Sequence, residues 1–224
     1  MLGDFNELKN AQKDFFARQG IRPAHSKLAI DFGAGNGIQT VALAESGYSV
    51  KSIDFSTQLL AELMQNANGL EVEPVESFIL HYLDTVSFSP ELITCMGDTI
   101  THMENEEEVI KLIHQRNCLL VKGGKLVISF RDISRELEDT DRFMPVKNDS
   151  YRILTCFLEY FTGKVRVTDL FFENQGGQWI QGVSSYFKLR LAPNWITSCA
   201  GNSGFRLTGQ EIIKGMHYLV FEKK

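Results

Sequence analysis

The sequence predicts an α/β protein built on a doubly wound, mostly parallel sheet. In its first half, short apolar runs alternate with segments of helical spacing, and glycines punctuate the changes of period. Strands alternating with helices imply parallel βαβ units covered on both faces. In the last third the pattern changes to strand pairs joined by tight turns, which adds an antiparallel end to that sheet.

The elements follow in order. Lys27 to Phe32 (KLAIDF) is a short buried strand, and Ile38 to Ser46 has helical spacing that stops at Gly47. Tyr48 to Phe55 is a second strand, after which Ser56 caps a helix running to about Asn68. Leu70 to Val75 is a weaker strand because Pro74 removes a backbone donor. Phe78 to Val86 has helical character, Leu92 to Met96 is an apolar strand, and Glu104 to Leu120 is a helix with an acidic first turn that suits its dipole. Gly123 and Gly124 turn the chain into the strand Lys125 to Phe130. Two strands, Lys164 to Glu173 and Trp179 to Leu191, flank a turn at Asn174 to Gly177. A helix follows Pro193, and a hairpin around Lys214-Gly215 closes the sheet.

The 224 residues are enough for one sizeable core, and no linker divides them, so residues 1–224 form a single domain. The net charge of −5 and the lack of a basic block argue against a duplex nucleic-acid partner. No apolar run is long enough to span a bilayer, and the polar start is no signal peptide, so no membrane partner and a cytoplasmic location are expected. Cys95, Cys118, Cys156 and Cys199 lie far apart, as expected of reduced, mostly buried thiols, and no metal site is expected.

The strongest local signal is Asp31-Phe32-Gly33-Ala34-Gly35-Asn36-Gly37, a strand entering a glycine turn that opens a helix. Glycines there admit positive φ and let a ligand approach the backbone, while the helix start offers free N–H groups. Asp54 ends the next strand, where a carboxylate can accept hydrogen bonds from both ribose hydroxyls. A dinucleotide fingerprint needs its third glycine three residues after the second, whereas Gly37 follows Gly35 by two. Asp31 would repel a pyrophosphate and suits the ammonium of a methionine moiety. S-adenosylmethionine therefore fits the loop better than NAD.

The same segment resembles motif I of the class I, Rossmann-like S-adenosylmethionine-dependent methyltransferases. Asp54 to Leu59 resembles their second motif, Val121 to Leu126 their turn before strand five, and Gly204-Phe205 the start of their closing hairpin. The likeness covers Ala24 to Arg131 well and the rest loosely. It implies a seven-stranded sheet with an antiparallel C-terminal strand, S-adenosylmethionine as cofactor, and a transferase that moves a methyl group to nitrogen or oxygen of a small-molecule acceptor by in-line displacement. The cofactor site implied is Asp31, Gly33, Ala34, Gly35, Gly37, Asp54, Phe55, Leu59, Met96 and Gly97. Ser77 and Phe78 stand where many members carry an adenine-binding Asp.

Cys95 to Met103 is similar to a stretch of glycine N-methyltransferase-like enzymes, which puts His102 at a cofactor-contacting place and Asp98 near the acceptor. Ser129 to Asp132 resembles a strand end whose Arg, here Arg131, binds the acceptor's carboxylate. Asp98, His102 and Arg131 are the candidate catalytic residues. Their plainer readings are a helix cap for Asp98, a buried hydrogen-bonded histidine for His102, and a surface pair with Asp132 or Glu136 for Arg131. Residues 1–23 are expected to form a helical lid, with a packing helix as the plainer reading, and 139–191 to form a β-rich insertion that shapes the acceptor pocket. An NAD-dependent oxidoreductase and a non-catalytic S-adenosylmethionine-binding module are the alternatives.

Overall fold

The computed structural model describes residues 3–224, the side chains of 116–118 excepted. Cys118 and the first two residues of the expected lid therefore lie outside the described residues. A seven-stranded sheet forms the centre, in the order β10-β11-β5-β4-β1-β2-β3. Its parallel part comprises β1 (Leu28–Phe32), β2 (Ser49–Asp54), β3 (Val72–Glu76), β4 (Leu92–Cys95) and β5 (Lys125–Arg131). The C-terminal β10 (Phe205–Ile213) and β11 (Met216–Lys223) pair antiparallel with each other, and β11 runs antiparallel to β5.

Burial explains the strand sequences. β4 is buried at every residue and β1 at all but its first, because helices cover both faces and no polar alternation is needed. β3 is the edge strand, and there Pro74 removes no ladder bond that a neighbour requires. On one face lie α1 (Phe5–Arg18), α2 (Ile38–Glu45) and α3 (Thr57–Asn66), packed through Phe15, Phe16, Leu43 and Leu63. On the other lie α4 (Ile79–Leu83), α5 (Glu106–Leu119) and α6 (Pro193–Asn202), joined through Leu83, Leu112 and Ile196. The Ser56 hydroxyl caps α3 by accepting from Leu59 N at 3.3 Å, as the sequence predicts. Helix α1 is fixed to the sheet by Phe15 and Phe16, with the Phe15 ring 4.7 Å from that of Tyr218. Its other end brings Phe5 against the cluster containing Ala34. No described helix is long and apolar enough to cross a membrane.

Between β5 and α6 the chain builds a second, four-stranded antiparallel sheet: β6 (Phe143–Asn148), β7 (Arg152–Tyr160), β8 (Lys164–Gln175) and β9 (Gln178–Leu189). The sequence predicts β8 and β9 but not β6 and β7. In β6, Pro145 and a register shift between Pro145 and Lys147 erase the alternation, and in β7 residues of both parities are half-buried. The β8–β9 turn is tighter than expected, with only Gly176 and Gly177 between the strands, both at positive φ.

Candidate active site

The site lies along the C-terminal ends of β1, β2, β4 and β5. Strand order reverses there between β1 and its two neighbours β2 and β4, the place where open α/β sheets take their ligands. After β1 the backbone turns back on β2, with Gly33 N and Ala34 N both donating to Ile53 O at 2.9 and 3.1 Å. Gly33, Gly35 and Gly37 all have positive φ, but for different reasons. A Cβ at Gly33 would collide with the Thr99 side chain, and one at Gly37 would come 2.9 Å from Leu63 Cγ. At Gly35 a Cβ would meet nothing within 4 Å. Gly35 is thus the one of the three whose bare backbone faces open space.

Asp54 organises the loop. Its Oδ2 accepts from Gly35 N and its Oδ1 from Ser56 N, both at 2.9 Å, so one carboxylate ties the glycine turn to the start of α3. Each oxygen keeps a further lone pair. Beyond it the exposed rings of Phe55 and Phe78 stack 5.8 Å apart at 13°, beside half-exposed Ser77 and exposed Leu59. Two large aromatic faces left in water at one sheet edge form a surface suited to a flat base.

Asp31 sits behind the loop, 1% exposed. Its oxygens accept from the Thr40 and Thr94 hydroxyls at 2.7 Å each, and Thr40 in turn meets Ser52 at 3.0 Å. Burial pushes this carboxyl up to about 6, against the pull of the two hydroxyls and helped by the charge of Asp54. Asp31 therefore clamps β1, α2 and β4 together, and its oxygens are turned to protein hydroxyls.

The other half of the site is an ionic corner. Met96 is buried, Gly97 is exposed and donates its N–H to Ser129 Oγ at 2.9 Å, and Asp98 follows with φ 74. The plainer reading of Asp98 as a helix cap is not met, since its side chain makes no cap bond to the 3₁₀ turn Thr99–His102. Its carboxylate, 4% exposed, instead accepts from Arg131 N at 2.7 Å, Arg131 Nη1 at 2.6 Å and Lys188 Nζ at 2.9 Å. Burial opposes the charged form, but Lys188 and the two Arg131 donors outweigh it and hold the carboxyl below its ordinary range. Arg131 thus pairs with Asp98, and not with Asp132 or Glu136.

His102 is exposed at the end of the turn and not buried, with its ring 5.4 Å from that of Tyr186 on β9. Loss of surrounding water and then the Lys188 charge lower its pKa, Asp98 acting the other way. The inner face of the four-stranded sheet completes the corner with Tyr186, Lys188 and Cys156, whose Sγ donates to Asp169 at 3.0 Å. Burial raises the Tyr186 phenol and the Cys156 thiol to about 12, so both stay neutral. Lys188 is the residue sequence reasoning missed. Its only signal was a cation two residues from Tyr186 on the same face of a strand.

Residues 29–124 match the family described as "Methyltransferase domain". Among relatives, the glycine/sarcosine N-methyltransferase of Parasynechococcus marenigrum (strain WH8102) is 26% identical over 152 residues, which is 67% of this chain and 54% of that protein. The chain spans about half the length of the curated relatives it matches. Two solved structures superpose with a TM-score of 0.77. One is an S-adenosylmethionine-dependent methyltransferase from Clostridium acetobutylicum ATCC 824, at 13% identity over 99% of this chain and 92% of that one. The other is the CcbJ methyltransferase from Streptomyces caelestis, at 17% identity over 97% and 96%. At these identities the likeness is one of fold. Strand order and these superpositions give the chain the Rossmann-like fold of S-adenosylmethionine-dependent methyltransferases, and the segment that matches the methyltransferase-domain family holds the glycine loop. The open backbone at Gly35, the free lone pairs of Asp54 and the exposed Phe55–Phe78 pair fit a nucleoside cofactor of that kind.

Proposed function

We propose that the protein transfers a methyl group from S-adenosylmethionine to a nitrogen or oxygen of a small-molecule acceptor. The observation that carries this reading is the junction of two arrangements at one sheet edge: the Gly35–Asp54 cradle and the Asp98–Arg131–His102 corner. Asp54 accepts the ribose hydroxyls, Phe55, Ser77 and Phe78 border the adenine with Leu59 beside them, and Gly33 to Gly37 with Met96 and Gly97 shape the path to the methionine end. Asp31 supports the loop from behind. The bound cofactor supplies an electrophilic methyl group, so the protein mainly aligns an acceptor lone pair in line with it and excludes water.

On the acceptor side the three candidates divide the work. Asp98, held ionised by two cations, is a poor base and serves to fix the guanidinium. Arg131, partly exposed and anchored at one end, presents its remaining N–H groups to an anionic group of the acceptor. His102, whose proton is made easier to lose, takes the proton of a protonated nucleophile. Helix α1, through Phe5, borders the cofactor end as a lid, and residues 139–191 wall the acceptor end.

Isothermal titration with S-adenosylhomocysteine tests this reading directly. The wild-type protein should bind it, more tightly than NADH. Asp54→Ala should weaken binding about 100-fold or more, since hydrogen bonds to a charged group contribute about 1.5–3 kcal/mol each. A wild-type protein that binds no S-adenosylhomocysteine would end the proposal. Binding without turnover across a broad acceptor panel would leave a cofactor-binding module.

A further inference from the structure

Lys188 stands outside the segment that carries the methyltransferase motifs, on the last strand of the four-stranded sheet, yet its ammonium reaches Asp98 Oδ2 at 2.9 Å. The contact is well shielded, with the two side chains 14% and 5% exposed. Arg131 Nη1 shares the same oxygen at 2.6 Å. We propose that Lys188 is a positioning residue for the acceptor site, fixing the charge and orientation of Asp98 and, through it, the Arg131 guanidinium. The inference rests on the proposed function only for its consequence. The ionic link itself is a property of the folded chain.

Three observations support a role beyond packing. Asp98 holds a left-handed backbone that a non-glycine residue adopts at a cost of about 1–2 kcal/mol, so its place is held by its partners. With Lys188 removed, a buried carboxylate would keep only the cation whose side chain is 46% exposed. Finally, β9 touches the Thr99–His102 turn at a second point, Tyr186 against His102, while the Lys188 ammonium lies 5.9 Å from the Tyr186 ring. The charged or titratable groups facing this corner are Arg131 from β5, His102 from its own turn, Tyr186 from β9, Cys156 from β7 and Asp169 from β8. Of these only Arg131 joins Lys188 in donating to Asp98.

The test follows the Asp98 carboxyl carbon and the His102 ring by NMR titration in the full-length wild type, Lys188→Met and Lys188→Arg. In Lys188→Met the Asp98 midpoint should move up by about one unit or more, and the His102 midpoint should also rise because a neighbouring cation is gone. Lys188→Arg should return both towards wild type. S-adenosylhomocysteine affinity should stay within about twofold in every variant. If Lys188→Met leaves the Asp98 midpoint in place, or if the Arg variant moves it as far as Met does, the charge role is overturned. Should Met disturb the fold, Lys188→Gln provides the same comparison. Failure of the wild type to bind S-adenosylhomocysteine would sink the proposed function and leave the titration result standing by itself.

Discussion

Gly33 and Gly35 lie two positions apart and share a left-handed backbone, yet substitution should harm the protein at each in a different way. An Ala at Gly33 would drive its Cβ into the side chain of Thr99, whose hydroxyl donates to Met96 O at 2.8 Å. At Gly35 the same methyl meets nothing within 4 Å. Both changes incur the left-handed cost of about 1–2 kcal/mol. Overpacking adds about 1–3 kcal/mol at Gly33 alone, because Thr99 is held in place by its own hydrogen bond. Gly33→Ala should therefore lose about 2–5 kcal/mol and Gly35→Ala about 1–2 kcal/mol. In a chain of this size that corresponds to Tm decreases of roughly 10 °C and roughly 4 °C. Binding should show the reverse order of sensitivity. Gly35→Ala should weaken S-adenosylhomocysteine more than tenfold in isothermal titration, since its methyl occupies the space through which the ligand meets the backbone. Equal Tm losses would refute the packing assignment of Gly33. Wild-type affinity in Gly35→Ala would refute the assignment of this loop to the cofactor.

Two further outcomes can be checked. Burial raises Asp31 to about 6 from about 3.9 in the unfolded chain, so between those values the folded state holds more protons. Stability from this group is present below about pH 4 and is lost as pH rises through about 6, a difference on the order of 2–3 kcal/mol. Urea unfolding at pH 4 and pH 7.5 should show that difference narrowing in Asp31→Asn, and an unchanged pH response would count against it. Phe78 is 72% exposed and stacked on Phe55, so Phe78→Ala should shift stability by no more than about 0.5 kcal/mol. It should weaken S-adenosylhomocysteine about tenfold through lost stacking, and undiminished affinity would place the adenine elsewhere.

The parts legible in the sequence are those whose cause is local. The glycine loop is one: its positive φ angles, its strand before and its helix after are all written within a few residues of Gly35. The central parallel strands were also visible, because strands covered on both faces become mostly apolar runs such as Leu92 to Cys95. Strands β6 and β7 were not, since a proline, a bulge and half-burial on both faces remove the period that marks a strand. Least visible was the Asp98–Lys188 contact, made across 90 positions by a side chain whose strand only acquires a partner in three dimensions. The partners of Asp98 were hidden for the same reason. The sequence places Asp98 near the acceptor, with a cap as the plainer reading, and only the folded chain shows its carboxylate turned to the two cations.

That cation pair bears on the chemistry in two ways at once. Asp98 bonds both cations and Asp169 faces the same corner from β8, so what the corner offers an acceptor is the N–H groups of Arg131 that Asp98 leaves free. An anionic group on the acceptor would be met by that half-exposed guanidinium. At His102 loss of surrounding water and then the Lys188 charge disfavour the imidazolium, against the pull of Asp98. A protonated amine held there would lose its proton to that imidazole. In the proposed reaction, recognition of the acceptor's negative end by Arg131 and deprotonation of its nucleophile by His102 both depend in part on Lys188. Removing the Lys188 charge should weaken both together, whereas removing His102 should impair only the second.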